Sequence, residues 1–191
     1  MISTRKNLKD TALATGLILA LTAGALSTAA NASSLSSEVS AAQATKISLK
    51  QAITIASAQA AGTLVSAEFD DDDDNAQAGV YEIEFKSDST KYEIKVDATT
   101  SKIIKTETES SDSGDIEDYQ TQRKAKVHII DAMNIAEKNT RGRVMEIEFK
   151  KDSDYKDHTS YYEVEILKGN QIIELNVDAN TGSVFAKKTK K

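Results

Sequence analysis

Apolar and polar positions along this chain change their period twice, in the same order each time. From Leu49, apolar residues recur at three- and four-residue steps through Ala52, Ile53, Ala56 and Ala60, and again from Ile129 through Ala132, Met133 and Ala136. That spacing puts each set on one face of a helix. After Gly62 and Gly142, expected as helix stops, the period falls to two. Val65, Ala67 and Phe69 alternate with polar neighbours, as do Met145, Ile147 and Phe149. Tyr81, Ile83 and Phe85 then lead to Tyr92, Ile94 and Val96, while Tyr162, Val164 and Ile166 lead to Ile173, Leu175 and Val177. Alternation of this kind predicts half-buried strands with one apolar face and one charged face. Ile103-Ile104 and Val184-Phe185 begin a short last strand.

The two series align when the chain is laid on itself about eighty residues apart: "AITIA" on "AMNIA", Gly62 on Gly142, "YEIEF" on "YEVEI", and "VDATTS" on "VDANTG". Such an alignment implies a tandem duplication. The expected fold class is α+β, in two repeats, each with one helix packed on a small antiparallel sheet of three to four strands. Ser48 with Gln51 resembles a capping box, whereas the second copy has His128 at the corresponding place. Asp97 and Asp178 end a strand, and the small polar residues that follow them supply turns that fold the last strand back. The organisation read from the sequence is residues 1–32 as a signal peptide, 33–45 as a disordered lead, 46–107 as repeat 1, 108–125 as an acidic and polar linker, and 126–188 as repeat 2. Proteolysis is expected first in the linker. Repeat 2, with its larger apolar side chains, is expected to be the more stable half.

Composition narrows the function. Arg5, Lys6 and Lys9, the apolar run Ala12 to Leu26 and the small residues Ala30-Asn31-Ala32 make an export signal with cleavage near Ala32-Ser33, and point to a periplasmic or secreted protein with no stable membrane insertion after signal removal. There is no cysteine, so disulfides, thiolate metal sites and thiol nucleophiles are excluded. The chain carries 24 Lys+Arg against 30 Asp+Glu, and loss of the basic leader makes the balance more acidic. An acidic surface repels nucleic acid and suits basic partners. No nucleophile, phosphate-loop or metalloenzyme motif is present, so the expectation is a protein that is not an enzyme.

The helix containing "AITIA" or "AMNIA", the glycine, the "YEIEF" and "YEVEI" strands and the closing "KVDATTSKI" and "NVDANTGSV" together resemble the PepSY domain, in two copies. The first copy departs from the usual pattern with Ser101 in place of glycine and with the acidic loop "DDDDDNAQAG". The resemblance implies a noncatalytic extracytoplasmic module that associates with, and inhibits or regulates, a protease or sensor protein.

Two sets of residues are candidate sites. Asp70, Asp71, Asp72, Asp73 and Asp74 could draw a cation such as calcium, which takes six to eight oxygen ligands; the alternative function is therefore a calcium-responsive or cation-buffering protein. No other cofactor is expected, and a mobile, hydrated charge run explains the same residues. Tyr161 alternates away from Tyr162, beside Glu163 and Glu165, and is expected as an exposed partner contact. His128 and His158 lack metal-ligand spacing and are expected on the surface.

Overall fold

The structure is a computed structural model that describes residues 27–73, 78–151 and 155–190. Most of the expected signal peptide and Asp74 lie outside the described residues. The expected cleavage position falls within a helix, α1 (Ser27–Ala44). Among the described residues no helix is long and apolar enough to cross a membrane.

Each copy of the repeat forms one helix and four strands. The first has α2 (Leu49–Ala56), β1 (Thr63–Asp70), β2 (Val80–Lys86), β3 (Thr90–Asp97) and β4 (Ile103–Ser110). A second helix, α3 (Ser113–Arg123), separates it from α4 (Ile129–Thr140), β5 (Arg143–Lys151), β6 (Ser160–Lys168), β7 (Gln171–Asp178) and β8 (Val184–Thr189). Ser48 caps α2 through a reciprocal capping box with Gln51, while His128 starts α4 without a side-chain cap. Gly62 and Gly142 lie beyond the helix ends. Their work is close approach: a Cβ at Gly142 would stand 2.5 Å from both Ile166 Cγ2 and the Leu167 carbonyl oxygen. The buried Tyr81 and Tyr162 hold equivalent places, each donating its hydroxyl at 2.8 Å to the carbonyl just ahead of its helix, Ile47 or Val127.

The two sheets are joined edge to edge. Strand order is β4-β3-β2-β1-β5-β6-β7-β8, antiparallel throughout. The joint between repeats pairs Ser66 with Glu148, Ala67 with Ile147 and Glu68 with Glu146. This arrangement is symmetric about Ala67 and Ile147. Both helices α2 and α4 cover the same face, and Lys50 of α2 bonds Asn134 Oδ1 of α4 at 2.8 Å. The buried apolar residues of both halves form one continuous cluster.

The lead, expected to be disordered, and the linker, read as flexible or partly helical, both contribute helices that enter the fold. The lead 33–45 lies within α1, whose Val39 and Ala42 join the core, and residues 113–123 of the linker form α3, which buries Tyr119 and Gln122. Residues 108–110 of the expected linker extend β4. Neither helix has a broad apolar stripe, and that is why periodicity misses them. Their burial depends on a tertiary exchange. The helix preceding repeat 1 packs on repeat 2: Arg143 donates to Thr45 Oγ1 at 2.9 Å and to the Ala42 carbonyl, and Gln43 Nε2 donates to Gly169 O at 3.0 Å. Conversely α3, preceding repeat 2, packs on repeat 1, with Gln122 Nε2 donating to Leu64 O at 2.8 Å, Asp115 paired with Lys86 at 2.7 Å and Tyr119 bonded to Asp88.

The repeated turns are structural. Asp97 Oδ1 accepts from the backbone N–H of Thr99 and Thr100 at 2.8 and 2.6 Å, and Asp178 Oδ1 from those of Asn180 and Thr181 at 2.9 and 2.7 Å. Burial opposes ionisation of both aspartates, yet hydrogen bonds hold their carboxyls below the usual range, from the Thr100 and Thr99 backbone for Asp97 and first from His158, then from Thr181 and Asn180, for Asp178. The turn requires a left-handed residue, supplied by Gly182 (φ 74°) in one copy and by Ser101 (φ 64°) in the other.

A side chain at a left-handed position costs about 1–2 kcal/mol, offset in part by the extra freedom of an unfolded glycine. Ser101→Gly is therefore expected to stabilise the protein by about 0.5–1 kcal/mol in urea unfolding, and an unchanged or lowered midpoint would contradict this account. The helix exchange has its own test. Tyr119→Ala should cost amides of β1 and β2 at least about tenfold in hydrogen-exchange protection. Loss confined to β5–β8 would show that α3 supports only the repeat it precedes.

Candidate binding surface

The sheet face opposite α2 and α4 carries the charged residues of the alternating strands. Most are paired. Glu84 holds Lys86 at 2.9 Å and Lys91 at 2.8 Å, Glu165 holds Lys190 at 2.9 Å, and Glu174 holds Lys188 at 2.6 Å. Glu148 pairs with Lys150 at 2.5 Å, two residues along its own strand. Glu38 of α1 reaches Lys190 at 3.8 Å, so this helix borders the face on one side. On the other side α3 contributes Asp118, Tyr119 and Gln122 to a small cleft whose remaining walls include Ser66, Glu84 and Glu148.

At the centre, where β1 meets β5, the charge balance fails. Glu68 and Glu146 are directly opposite each other across the joint, and among the described residues neither has an ion-pair partner. Burial raises the Glu146 carboxyl, helped by the negative charges of Glu165 and Glu68 and opposed by Lys190, to about 7. Glu68 is raised in the same direction, by burial first and then by Glu82 and Asp70. Burial also raises Glu163, with Glu174 adding to it. The middle of the face therefore takes up protons more readily than an ordinary carboxylate surface, and it presents uncompensated negative charge when deprotonated.

The acidic loop is divided by the fold. Asp70 and Asp73 come together with Glu82, with ligand atoms within 4.8 Å of one another. Lys95 supplies positive charge at this cluster, binding Asp73 at 3.0 Å and also Glu82, and its hydrogen bond to Glu82 is the main cause that raises the ammonium pKa. Asp71 instead accepts from Ser37 of α1 at 3.0 Å, and Asp70 accepts from the Asp72 backbone at 2.9 Å.

The expected exposed contact at Tyr161 is corrected. Tyr161 is only 4% exposed, because Tyr155 and Phe185 pack on it with ring centroids 5.4 and 5.6 Å away. Alternation does place it on the face opposite Tyr162, but that end of the face is covered by aromatic rings. Glu165 is buried at 8% with Lys190 as its partner, and Glu163 is half-buried. His158 is not a plain surface histidine: its Nδ1 lies 2.7 Å from Asp178 Oδ2 and its ring stacks on Phe185 at 3.9 Å. Sequence reading did not single out Glu68 and Glu146. Their alternation was visible, but their juxtaposition exists only through the β1–β5 register.

A family match falls on each of the two repeats. Residues 46–107 and 131–188 match PepSY, described as the peptidase propeptide and YPEB domain. A crystal structure of a proposed lipoprotein from Clostridium difficile 630 is similar to this chain at 27% identity, covering 76% of this chain and 94% of that one with a TM-score of 0.43. No significant match is found among curated proteins. The two matched segments span more than half of the sequence, and the chain belongs to the PepSY family, with two tandem copies of the domain.

Proposed function

We propose that this protein is an extracytoplasmic, noncatalytic binding module that engages a protein partner, a protease or a sensor, through the outer face of its sheet. The export-type leader, the PepSY membership and the lack of catalytic motifs in the sequence support the class. The observation that carries the surface is the Glu68–Glu146 pair. Like charges directly opposite on neighbouring strands are destabilising, and here they sit at the strand joint between the two repeats. A Lys or Arg from a partner laid across the joint would relieve that repulsion. Glu146 is half-buried, which would strengthen its contact relative to an exposed surface pair, while Glu68 is exposed. In this reading Glu163 contributes to the same field, and the flanking helices α1 and α3 limit the approach to a segment lying along the face.

Crosslinking and affinity capture from the extracytoplasmic fraction, at physiological salt, tests the reading. A reproducible partner protein is expected with the native chain, and Glu68→Gln with Glu146→Gln should weaken its capture. Failure to recover any partner would remove the function, whereas equal capture by the double variant would remove only the surface.

The same pair makes a pH prediction. The folded Glu146 carboxyl titrates above its unfolded value, so its contribution to stability is complete below pH of about 4.5 and is lost as pH rises through about 7. Glu146→Gln should match the native protein near pH 4 and exceed it at pH 8 by about 1–3 kcal/mol in urea unfolding. An equal stability difference at both pH values would show that the carboxyl does not titrate as described.

A further inference from the structure

The register of the sheet sets acidic side chains next to one another from strand to strand. Through successive pairings Lys95, Glu82, Glu68, Glu146, Glu165, Glu174 and Lys188 form one row across the outer face, from β3 through the central joint to β8. The row is neutralised from its ends inwards. Lys95 bonds Glu82, Lys188 pairs with Glu174 at 2.6 Å, and Lys190 pairs with Glu165 at 2.9 Å. Pairing stops before the centre, at Glu68 and Glu146.

The remaining groups around that pair supply no free cation. Glu82 and Asp70 act on it from the side of repeat 1, and Glu165, Glu148 and Lys190 from the side of repeat 2. Lys190 is already held by Glu165, Glu148 has Lys150 at 2.5 Å, and Asp70 lies with Asp73 and Glu82 at the Lys95 cluster. The flanking helices add only more acid near this face, Glu38 from α1 and Asp118 from α3. Directly opposite residues of an antiparallel pair have Cα atoms about 4.5–5.5 Å apart, and carboxyls held so close titrate as a unit, with the second ionisation opposed by the first. Half-burial of Glu146 acts in the same direction.

We infer that the Glu68–Glu146 pair is a proton–cation exchanger: in the free protein the two carboxyls retain a proton, and docking of a lysine- or arginine-bearing segment releases that proton to solvent and puts the partner's cation in its place. This rests on the reading of the outer face as the partner surface and adds its regulation. Docking tightens as pH rises through the titration of the pair and loosens on acidification, because a proton and the partner's cation compete for the same two carboxyls.

Isothermal titration calorimetry of the purified chain with a short blocked peptide of alternating lysine and alanine, at constant ionic strength, tests this, with thermal melting as the control for folding. Titrations at pH 7 in two buffers of different ionisation enthalpy should show release of about half a proton per peptide bound, and affinity at pH 5.5 should be at least about fivefold weaker than at pH 8. Glu146→Gln should abolish the proton release and flatten the pH dependence. Binding that is lost in Glu68→Gln with Glu146→Gln, yet releases no proton from the native chain, overturns the exchange and leaves the surface standing. Proton release that persists unchanged in Glu146→Gln overturns it equally. Absence of binding at every pH, or binding that the double variant leaves unchanged, removes the surface and the exchange together.

Discussion

The antiparallel contact between β1 and β5 is the constraint from which the rest of this architecture follows. A unit of about sixty residues buries only about 60% of its unfolded surface and is marginal alone. Pairing Ala67 with Ile147 turns two such units into one eight-stranded sheet with a continuous core beneath α2 and α4. The joint is short, with three registered pairs, yet it lies at the centre of the sheet, where its alignment decides which side chains of the two repeats become neighbours.

Exchange of α1 and α3 reinforces that joint. Each helix precedes one repeat and packs on the other, so separating the repeats would expose Val39 and Ala42 as well as Tyr119 and Gln122. Arg143 at the start of β5 donates to the Ala42 carbonyl of α1, and Gln122 of α3 donates to the Leu64 carbonyl of β1. Hydrogen bonds of this kind contribute modestly in isolation. Losing one leaves a buried polar group without its partner, which is the larger cost. The two domains seen by homology are consequently one cooperative body in physical terms.

Opposite faces of the sheet carry different tasks. The helix-covered face is filled by equivalent residues in the two repeats, Tyr81 with Tyr162 and Ile83 with Val164, and supplies stability. The outer face has diverged. Repeat 2 gained the Tyr155, His158, Tyr161 and Phe185 cluster, which covers the end of that face, while repeat 1 has the acidic loop with Lys95 neutralising Asp73 and Glu82. Between these differentiated ends lie Glu68 and Glu146, where the symmetric joint sets two carboxylates against each other.

The sequence by itself determined the duplication, the two amphipathic helices, the alternation of the strands and the Asp97 and Asp178 turns, because each depends on residues within one turn or one strand of each other. Tertiary structure decided the rest. Val39 with Ala42, and Tyr119 with Gln122, offer too few apolar positions to announce a helix, and they become core only because the opposite repeat provides the surface that buries them. Alternation put Tyr161 on the outer face but could not reveal that Tyr155 and Phe185 cover it. In the same way the sequence contains Glu68 and Glu146 as two ordinary strand glutamates nearly eighty residues apart, and their electrostatic conflict arises only when β1 and β5 pair in register, since Coulomb repulsion depends on distance in space and not along the chain.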